Sequence, residues 1–287
     1  MAAITAWMVK QFGQNVEFLV QQKGSRLQNA VRVESGIVGE DAFFDQLAST
    51  AAVKKTTRNS DTPLIKSDHR RRRVSLFDFE WADLIDKEDK LKTIIDPENS
   101  IAVAAGWALG RSKDEEIIAA FNGTAQTGKT GSTAVTFPAS QQIVAGATGL
   151  TIDKLREAKE ILDLADVDPE EPRFIVVSPK QITDLLETTE VTSSDFASVK
   201  ALVNGDLDTF LGFKFIMTNL LQVDGSSDRL VYAWSQTGIL LAMAAEITAR
   251  IDQRPDKSYA NQVYLSMSIG TTRMQEEKVV EIACVEA

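Results

Sequence analysis

The longest helical pattern in the chain covers residues 96–122. Asp96 suits the N-cap, Pro97 suits the first helical position, and Gly123 follows where a left-handed C-terminal cap belongs. The first half of the segment is apolar on nearly every side, so neighbouring elements must cover it. At 1.5 Å per residue, such a helix is about 37 Å long. The pattern therefore predicts a long helix around which the other elements are arranged.

The part of the chain before this helix contains helical, extended and charged stretches in turn. Apolar residues at helical spacing predict an amphipathic helix within residues 4–29 that closes near Gly24. Residues 30–80 combine alternating β-branched and polar positions with a polar, turn-rich tip, and they predict one long extended hairpin. A short charged helix is expected over residues 81–92, directly before the long one.

The second half of the chain contains both helical and strand patterns, and its last part contains strand patterns only. A loop rich in Gly, Thr and Ser precedes two short predicted strands at 134–137 and 141–144. Helical spacing predicts helices at 151–166 and 179–186, on either side of a buried strand at 174–177. Later strands are predicted at 214–217, 229–234, 238–245, 247–251, 263–269 and 278–285. The strict alternation within 263–269 predicts an antiparallel strand with one exposed face, and the whole pattern predicts an α+β fold.

Composition narrows the classes of function. The 287 residues are 44% hydrophobic and 25% charged, which indicates a folded chain of one or two domains. A net charge of −10 argues against a protein that wraps nucleic acid. A single cysteine, Cys284, excludes an intrachain disulfide, and a single histidine, His69, removes most zinc and histidine-based catalytic sites. The N-terminus lacks the order of a secretory signal, and no apolar run approaches the roughly 20 residues that span a bilayer. We therefore expect no metal, cofactor or membrane partner.

Residues 123–130 match the P-loop pattern of nucleotide-binding proteins, reading Gly-Thr-Ala-Gln-Thr-Gly-Lys-Thr. A P-loop follows a buried strand and opens a helix, whereas this tract follows a predicted helix and leads into residues that favour extended chain. The context therefore favours a flexible loop, and a P-loop NTPase is the alternative from another class of function.

The order of elements, together with four short motifs, resembles the major capsid proteins of tailed bacteriophages, which have the Hong Kong 97 type fold. The motifs are Arg-Arg-Arg-Val at 71–74, Trp-Ala-Asp-Leu-Ile-Asp at 81–86, Ile-Asp-Pro at 95–97 and Arg-Pro-Asp-Lys-Ser at 254–258. The resemblance covers nearly the whole chain. It implies an N-arm at 1–29, an extended loop (E-loop) at 30–80, a peripheral domain with a spine helix (96–122) at 81–150, an axial domain at 151–239, and the return strands of the peripheral domain at 240–287.

The resemblance implies a structural protein without enzymatic activity. Its copies would form the hexamers and pentamers of an icosahedral head shell, which encloses double-stranded DNA without sequence-specific binding. The implied location is the virion, after assembly in the host cytoplasm, with a portal and a decoration protein as partners. A separate scaffolding protein is also expected, because the N-arm helix begins almost at Met1. A nanocompartment shell protein of the same fold is the alternative.

The predicted return arm of the E-loop contains a basic run, His69 followed by four arginines. The nearest acidic residues along the arm are Asp61 and Asp68. Such a run in an acidic chain usually forms a solvated or ion-paired edge, but on a capsid E-loop it would meet carboxylates of the next subunit. Both interpretations remain open. The candidate inter-subunit contact residues are Arg70, Arg71, Arg72 and Arg73.

Overall fold

The computed structural model describes residues 21–59, 61–86, 97–187 and 209–286. This part of the chain contains three α-helices and fourteen β-strands, which confirms the α+β class. The helices are α1 (Pro97–Asn122), α2 (Ile152–Leu164) and α3 (Pro179–Glu187). The strands are β1 (Arg32–Ser35), β2 (Asp41–Leu47), β3 (His69–Ser75), β4 (Phe77–Ile85), β5 (Ala125–Thr127), β6 (Thr133–Val135), β7 (Gln142–Ile143), β8 (Arg173–Val177), β9 (Thr209–Phe210), β10 (Phe213–Met217), β11 (Asp228–Ser235), β12 (Ile239–Arg254), β13 (Ala260–Arg273) and β14 (Val279–Val285). None of the described helices has the length and apolar composition that crossing a bilayer requires.

A four-stranded sheet in the order β1-β12-β13-β4 packs against α1. Along β13, the apolar side chains predicted to face the core are buried, and the polar residues between them are partly exposed. This confirms the predicted strand with one buried face. The buried side chains are Val263, Leu265, Met267 and Ile269. Among the described strands, β4 lies at an edge of this sheet and pairs with β13.

A six-stranded mixed sheet in the order β7-β14-β11-β8-β10-β9 forms the second layer, and α2 packs against β14. Every residue of β8 is buried, as its apolar run predicts. The C-terminal end of α1 enters the same core, because Phe121 stacks on Tyr232 with ring centroids 4.7 Å apart and lies at the same distance from Trp234. Helix α1 therefore joins the two larger sheets into one packed body.

A third sheet, in the order β2-β3-β5-β6, carries a long hairpin. Strands β2 and β3 pair in antiparallel register from Asp41 opposite Ser75 to Leu47 opposite His69. The prediction of one hairpin over residues 30–80 was too wide, because β1 pairs with β12 and β4 pairs with β13. The hairpin sheet therefore uses only the middle part of that segment.

Two predicted helical segments are wrong within the described residues. Residues 81–85 belong to β4, where Phe79 and Trp81 pack on the core at a spacing of two, which is the period of a strand. Residues 21–24 contain no helix, since the backbone turns at Gly24 (φ +72°) and Gln21 and Gln22 are held by hydrogen bonds to α1. The rest of the predicted N-terminal helix, residues 87–92 of the predicted charged helix and part of the segment before β10 lie outside the described residues.

Two further differences concern strands. The segments predicted separately at 238–245 and 247–251 form the single strand β12, whose register against β13 shifts between Met243 and Thr248. Bulges of this kind interrupt the alternation that marks a strand in a sequence. The Gly/Thr tract predicted as a flexible loop contains β5 and leads into β6.

Candidate assembly surface

The basic run lies on β3, and the alternation of the strand divides its side chains between two faces. On one face, Arg71 donates to Asp45 (Nε–Oδ1 2.5 Å) and Arg73 donates to Asp41 (Nε–Oδ1 2.9 Å). Arg71 holds the pKa of the Asp45 carboxyl below its usual value. The hydroxyl of Ser75, with help from Arg73, does the same for Asp41.

Arg71 and Arg73 therefore pair with carboxylates of the neighbouring strand rather than with Asp61 or Asp68, the nearest acidic residues along the arm. The register of the hairpin brings Asp41 and Asp45 of β2 beside the arginines of β3, although these residues are far apart in the sequence. Pairs of opposite charge across two strands stabilise a sheet modestly.

Arg70 and Arg72 share the other face of β3, where Arg72 is buried and Arg70, nearer the end of the strand, is exposed. Arg72 is 5% exposed, and it donates to the carbonyl of Met274 (Nε–O 3.0 Å) and to the carboxylate of Glu276 (Nη2–Oε2 2.6 Å). Arg70 has a longer contact with Asp68 (3.3 Å), and both of these side chains are about two-thirds exposed. Arg72 therefore fastens the hairpin to the loop before β14, whereas Arg70 is available to another molecule.

A buried arginine that the sequence analysis did not single out, Arg273, joins this region to α1. Its Nη1 donates to the carbonyls of Phe121 (2.7 Å) and Gly123 (2.8 Å), and its guanidinium lies 4.9 Å from the ring centroid of Phe137. The side chain is fully buried, and this burial lowers the pKa of its guanidinium. A cation that donates to the last carbonyls of a helix satisfies them and opposes the negative end of the helix dipole.

A groove of about 700 Å³ lies between β3, the turn after β5 and Glu276. Four cationic side chains line it, against two carboxylates. An anionic partner therefore fits this groove better than a cationic one. Its charged lining residues are Arg70, Arg71, Arg72, Lys129, Asp45 and Glu276, and its other lining residues are His69, Thr127, Gly128 and Val135.

The tract that matches the P-loop pattern forms the β5–β6 hairpin. It follows α1 rather than a buried strand, and the turn is made by Gly128 (φ +95°) and Gly131 (φ +66°), with Lys129 exposed between them. Strand β6 follows where a P-loop would open a helix. Among the described residues, no group of three or more His, Cys, Asp and Glu side chains is arranged to hold a metal ion.

We expect that neither the wild-type protein nor Lys129→Ala binds ATP with micromolar affinity in the presence of magnesium. The reason is that the turn lacks the strand-to-helix geometry in which backbone N–H groups surround phosphates. Isothermal titration calorimetry checks this. Micromolar binding that disappears in Lys129→Ala would contradict the structural assignment of this turn.

The chain before β1 crosses α1 at Gly110 and is bound there by Asp114. The Asp114 carboxylate is fully buried and accepts hydrogen bonds from the backbone N–H groups of Arg26 (2.9 Å) and Leu27 (3.1 Å). The side chains of Gln22 and Ser25 also donate to it. Residues 21–28 are therefore attached to α1.

Large apolar side chains are exposed on and beside the β2–β3 hairpin. Leu47 ends β2 and is 65% exposed, and Leu64, in the connection to β3, is 94% exposed. Clusters of exposed apolar side chains on a soluble subunit mark surfaces that another molecule covers. The exposed residues are Val38, Phe43, Leu47, Val53, Leu64, Ile65 and Phe77.

A family model described as "Phage capsid protein" matches residues 4–286. The chain belongs to this phage capsid protein family. The capsid protein has the fold of solved capsids, among them that of cyanophage P-SCSP1u, with a TM-score of 0.75 at 14% identity over 100% of this chain and 96% of that chain. The capsid of Helicobacter pylori bacteriophage KHP30 gives a TM-score of 0.74 at 11% identity, over 96% of this chain and 95% of that one. The capsid of Ralstonia phage GP4 gives 0.73 at 12% identity, over 97% and 95%. A comparison with curated protein sequences finds no match.

These findings confirm the predicted family and the predicted Hong Kong 97 type fold of the capsid protein. They also confirm its predicted function as a major capsid shell protein and its place in the virion, and they do not favour the nanocompartment or NTPase alternatives. The family and the fold are those of structural proteins.

Proposed function

We propose that this capsid protein forms the hexamers and pentamers of an icosahedral head shell around double-stranded DNA, and that it has no enzymatic activity. The observation that supports this most directly is the family match over nearly the whole chain, combined with a hairpin whose apolar side chains are exposed in the single subunit. The net charge of −10 fits a container that does not bind its DNA tightly. We further propose assembly in the host cytoplasm with a separate scaffolding protein, a portal and a decoration protein.

We propose a division of the chain that follows the sheets. Residues 1–29 are the N-arm, and the E-loop is the part of 30–80 that lies between β1 and β4 and contains the β2–β3 hairpin. The peripheral domain contains α1, as its spine helix, and the sheet β1-β12-β13-β4. The axial domain contains the six-stranded sheet, and it therefore includes β7 and β14 in addition to residues 151–239.

We propose that the arginines of β3 contribute to the contact between subunits in unequal measure. Arg72 is buried in its own subunit, and Arg73 is about one-third exposed and bonded to Asp41. Arg71 and Arg70 are more exposed, and both line the groove. A contact with another copy therefore depends mainly on Arg70 and Arg71.

The experiment shortens the hairpin without disturbing its paired strands. Residues 49–67 are replaced by Asn-Gly, which suits a two-residue turn between Ala48 and Asp68, where the Ala48 N–H already donates to the Asp68 carbonyl (2.9 Å). We expect thermal unfolding of the subunit within a few degrees of the wild type, because the removed residues lie outside the core, but no closed shells. Negative-stain electron microscopy and sedimentation velocity measure assembly.

The wild type, expressed and purified in parallel, is the control and is expected to form closed shells. Shells of normal size from the shortened variant would contradict the role of the hairpin. A wild type that stays monomeric at every concentration would contradict the proposed shell itself.

A further inference from the structure

We propose that the basic groove beside β3 binds the acidic edge strand β4 of a second copy of the chain. This inference rests on the proposed shell function and names the partner of the groove. It would make each contact between copies a pairing of two different surfaces, the groove on one copy and β4 on the next.

The charges of the two surfaces are segregated along the chain. Residues 69–73 contain four arginines, and residues 76–86 contain four carboxylates and no lysine or arginine. The structure places the two segments in different sheets, β3 in the hairpin sheet and β4 at the edge of the sheet on α1. The four carboxylates are those of Asp78, Glu80, Asp83 and Asp86.

The contacts of the acidic strand within the described part of the subunit are with uncharged groups. Asp78 accepts a hydrogen bond from Ser268, and Glu80 accepts one from the Tyr264 hydroxyl (2.9 Å), both of which are uncharged. Among the described residues, no ion pair to a carboxylate of β4 is found. These carboxylates are therefore accessible to a cationic group of another molecule.

The groove has unused capacity for anions. Two buried guanidiniums, Arg72 and Arg273, share the carboxylate of Glu276, and Arg72 Nη1 is buried without a hydrogen-bond partner among the described residues. At the outside, Lys129 is exposed and Arg70 has one long contact. Arg70 and Lys129 are therefore the cations that a carboxylate of a second copy would meet first.

The shape and the apolar content of the two surfaces agree with this pairing. Strand β4 is an edge strand, and Asp78 and Glu80 lie on its exposed face together with Leu84, which is 42% exposed. The groove has an apolar wall at Val135 beside its cations. An edge strand with alternating acidic and apolar residues fits such a groove better than a nucleic acid, which has no apolar side chains and would meet the carboxylates of Asp45 and Glu276.

The two surfaces are not paired with each other among the described residues of one subunit. Strands β3 and β4 lie in different sheets, and the ion pair found for Arg70 is with Asp68. A contact between two different surfaces is heterologous, so each bound copy still offers one free groove or one free strand. When the rotation between copies closes, such a contact produces a ring, which is the form of a hexamer or pentamer.

The test reverses the charges on each surface separately and then together. The groove variant is Arg70→Glu with Lys129→Glu, and the strand variant is Asp78→Lys with Glu80→Lys. These side chains were chosen because their contacts within the subunit are few and exposed. The matched control is Glu157→Lys with Glu160→Lys on α2, which changes the net charge as the strand variant does, on another exposed surface.

Sedimentation velocity over a concentration series measures the concentration at which half of the protein is assembled. We expect each double variant to raise it about tenfold or more, because attraction becomes repulsion at every equivalent contact. The combined fourfold variant should return to within about threefold of the wild type, since its charges are complementary again. High salt should weaken assembly of the wild type, because exposed charge pairs are screened.

Three results would overturn the inference. In the first, the fourfold variant assembles no better than the double variants. If the wild type still forms shells, this result contradicts the pairing of groove and strand but not the proposed shell function. The α2 control could impair assembly as much as the strand variant, so that net charge alone explains the effect. The groove variant could lose affinity for a short DNA duplex that the wild type binds, without rescue in the fourfold variant, which would assign the groove to nucleic acid.

Discussion

Replacing Asp114 by alanine is expected to lower the free energy of unfolding by about 3 kcal/mol, because buried hydrogen-bond donors lose their acceptor. The carboxylate accepts from two backbone N–H groups, of which that of Leu27 is buried, and from the side chains of Gln22 and Ser25. Alanine offers no acceptor in its place. Residues 21–28 should therefore separate from α1 before the rest of the subunit unfolds.

The measurement combines urea unfolding of the unassembled subunit with hydrogen exchange at the amides of Arg26 and Leu27. Their exchange should accelerate strongly in Asp114→Ala and partly in Asp114→Asn, which keeps one acceptor oxygen. The matched control is Glu115→Ala, the exposed neighbour on the same helix. Unchanged exchange at both amides in Asp114→Ala would show that Asp114 does not hold this segment.

A substitution at Gly110, where the chain before β1 crosses α1, tests the same attachment without removing a hydrogen bond. A Cβ atom on Gly110 would lie 2.6 Å from the Cα atom of Gly24, and backbone atoms cannot yield as a flexible side chain can. Gly110→Ala should therefore accelerate hydrogen exchange at the amides of Arg26 and Leu27. Gly106→Ala should not, because a Cβ atom at Gly106 meets nothing within 4 Å. Helix propensity alone favours alanine at both positions. A difference between the two variants therefore reports the close contact between Gly110 and Gly24.

Local patterns in the sequence predicted those elements in which the spacing of apolar residues matches the secondary structure that forms. The long helix, α2, α3 and β8 all lie where the spacing of apolar residues places them. Residues 81–85 show the limit of this method, since the charged residues of the segment 81–92 as a whole suggest a helix. They form a strand because Phe79 and Trp81 face the core while β13 supplies hydrogen bonds from nearly two hundred residues away. No window around residue 81 contains that partner.

The candidate site shows the same limit more sharply. The arginines of β3 were recognisable as a basic run, but their acceptors Asp41 and Asp45 depend on the register of the hairpin. Asp114 reads as part of a charged helical turn, and only the crossing chain buries it. Sequence reasoning can therefore find clusters of charge, whereas the pairing of each charge is set by contacts far along the chain.

One signal in the sequence could have identified Arg273, which is a lone arginine at the end of an otherwise uncharged strand. Its importance comes from three segments that meet at its guanidinium. These are the C-terminal end of α1, the segment 135–137, and Glu276, which also binds Arg72. The hairpin sheet is therefore connected to α1 through a short chain of charged groups.

Arg273→Ala is expected to lower the free energy of unfolding by about 3 to 5 kcal/mol, because removal of one member of a buried charged network leaves its partners unsatisfied. The carbonyls of Phe121 and Gly123 lose their donor, and the ring of Phe137 faces a cavity. Arg273→Met fills most of this space without donating, so its loss should be smaller. Urea unfolding of the unassembled subunit measures all three proteins, and Arg250→Ala, an exposed arginine on β12, is the control.

The comparison of alanine with methionine separates two explanations of the loss. If packing dominates, Arg273→Met should restore nearly all of the stability; if hydrogen bonding to the end of α1 dominates, both variants should remain well below the wild type. We expect the second result, since the carbonyls of Phe121 and Gly123 each accept from Arg273 at under 3 Å. A loss below about 1 kcal/mol in Arg273→Ala, which is the size of an ordinary exposed substitution or less, would contradict the role of Arg273 in joining the hairpin sheet to α1.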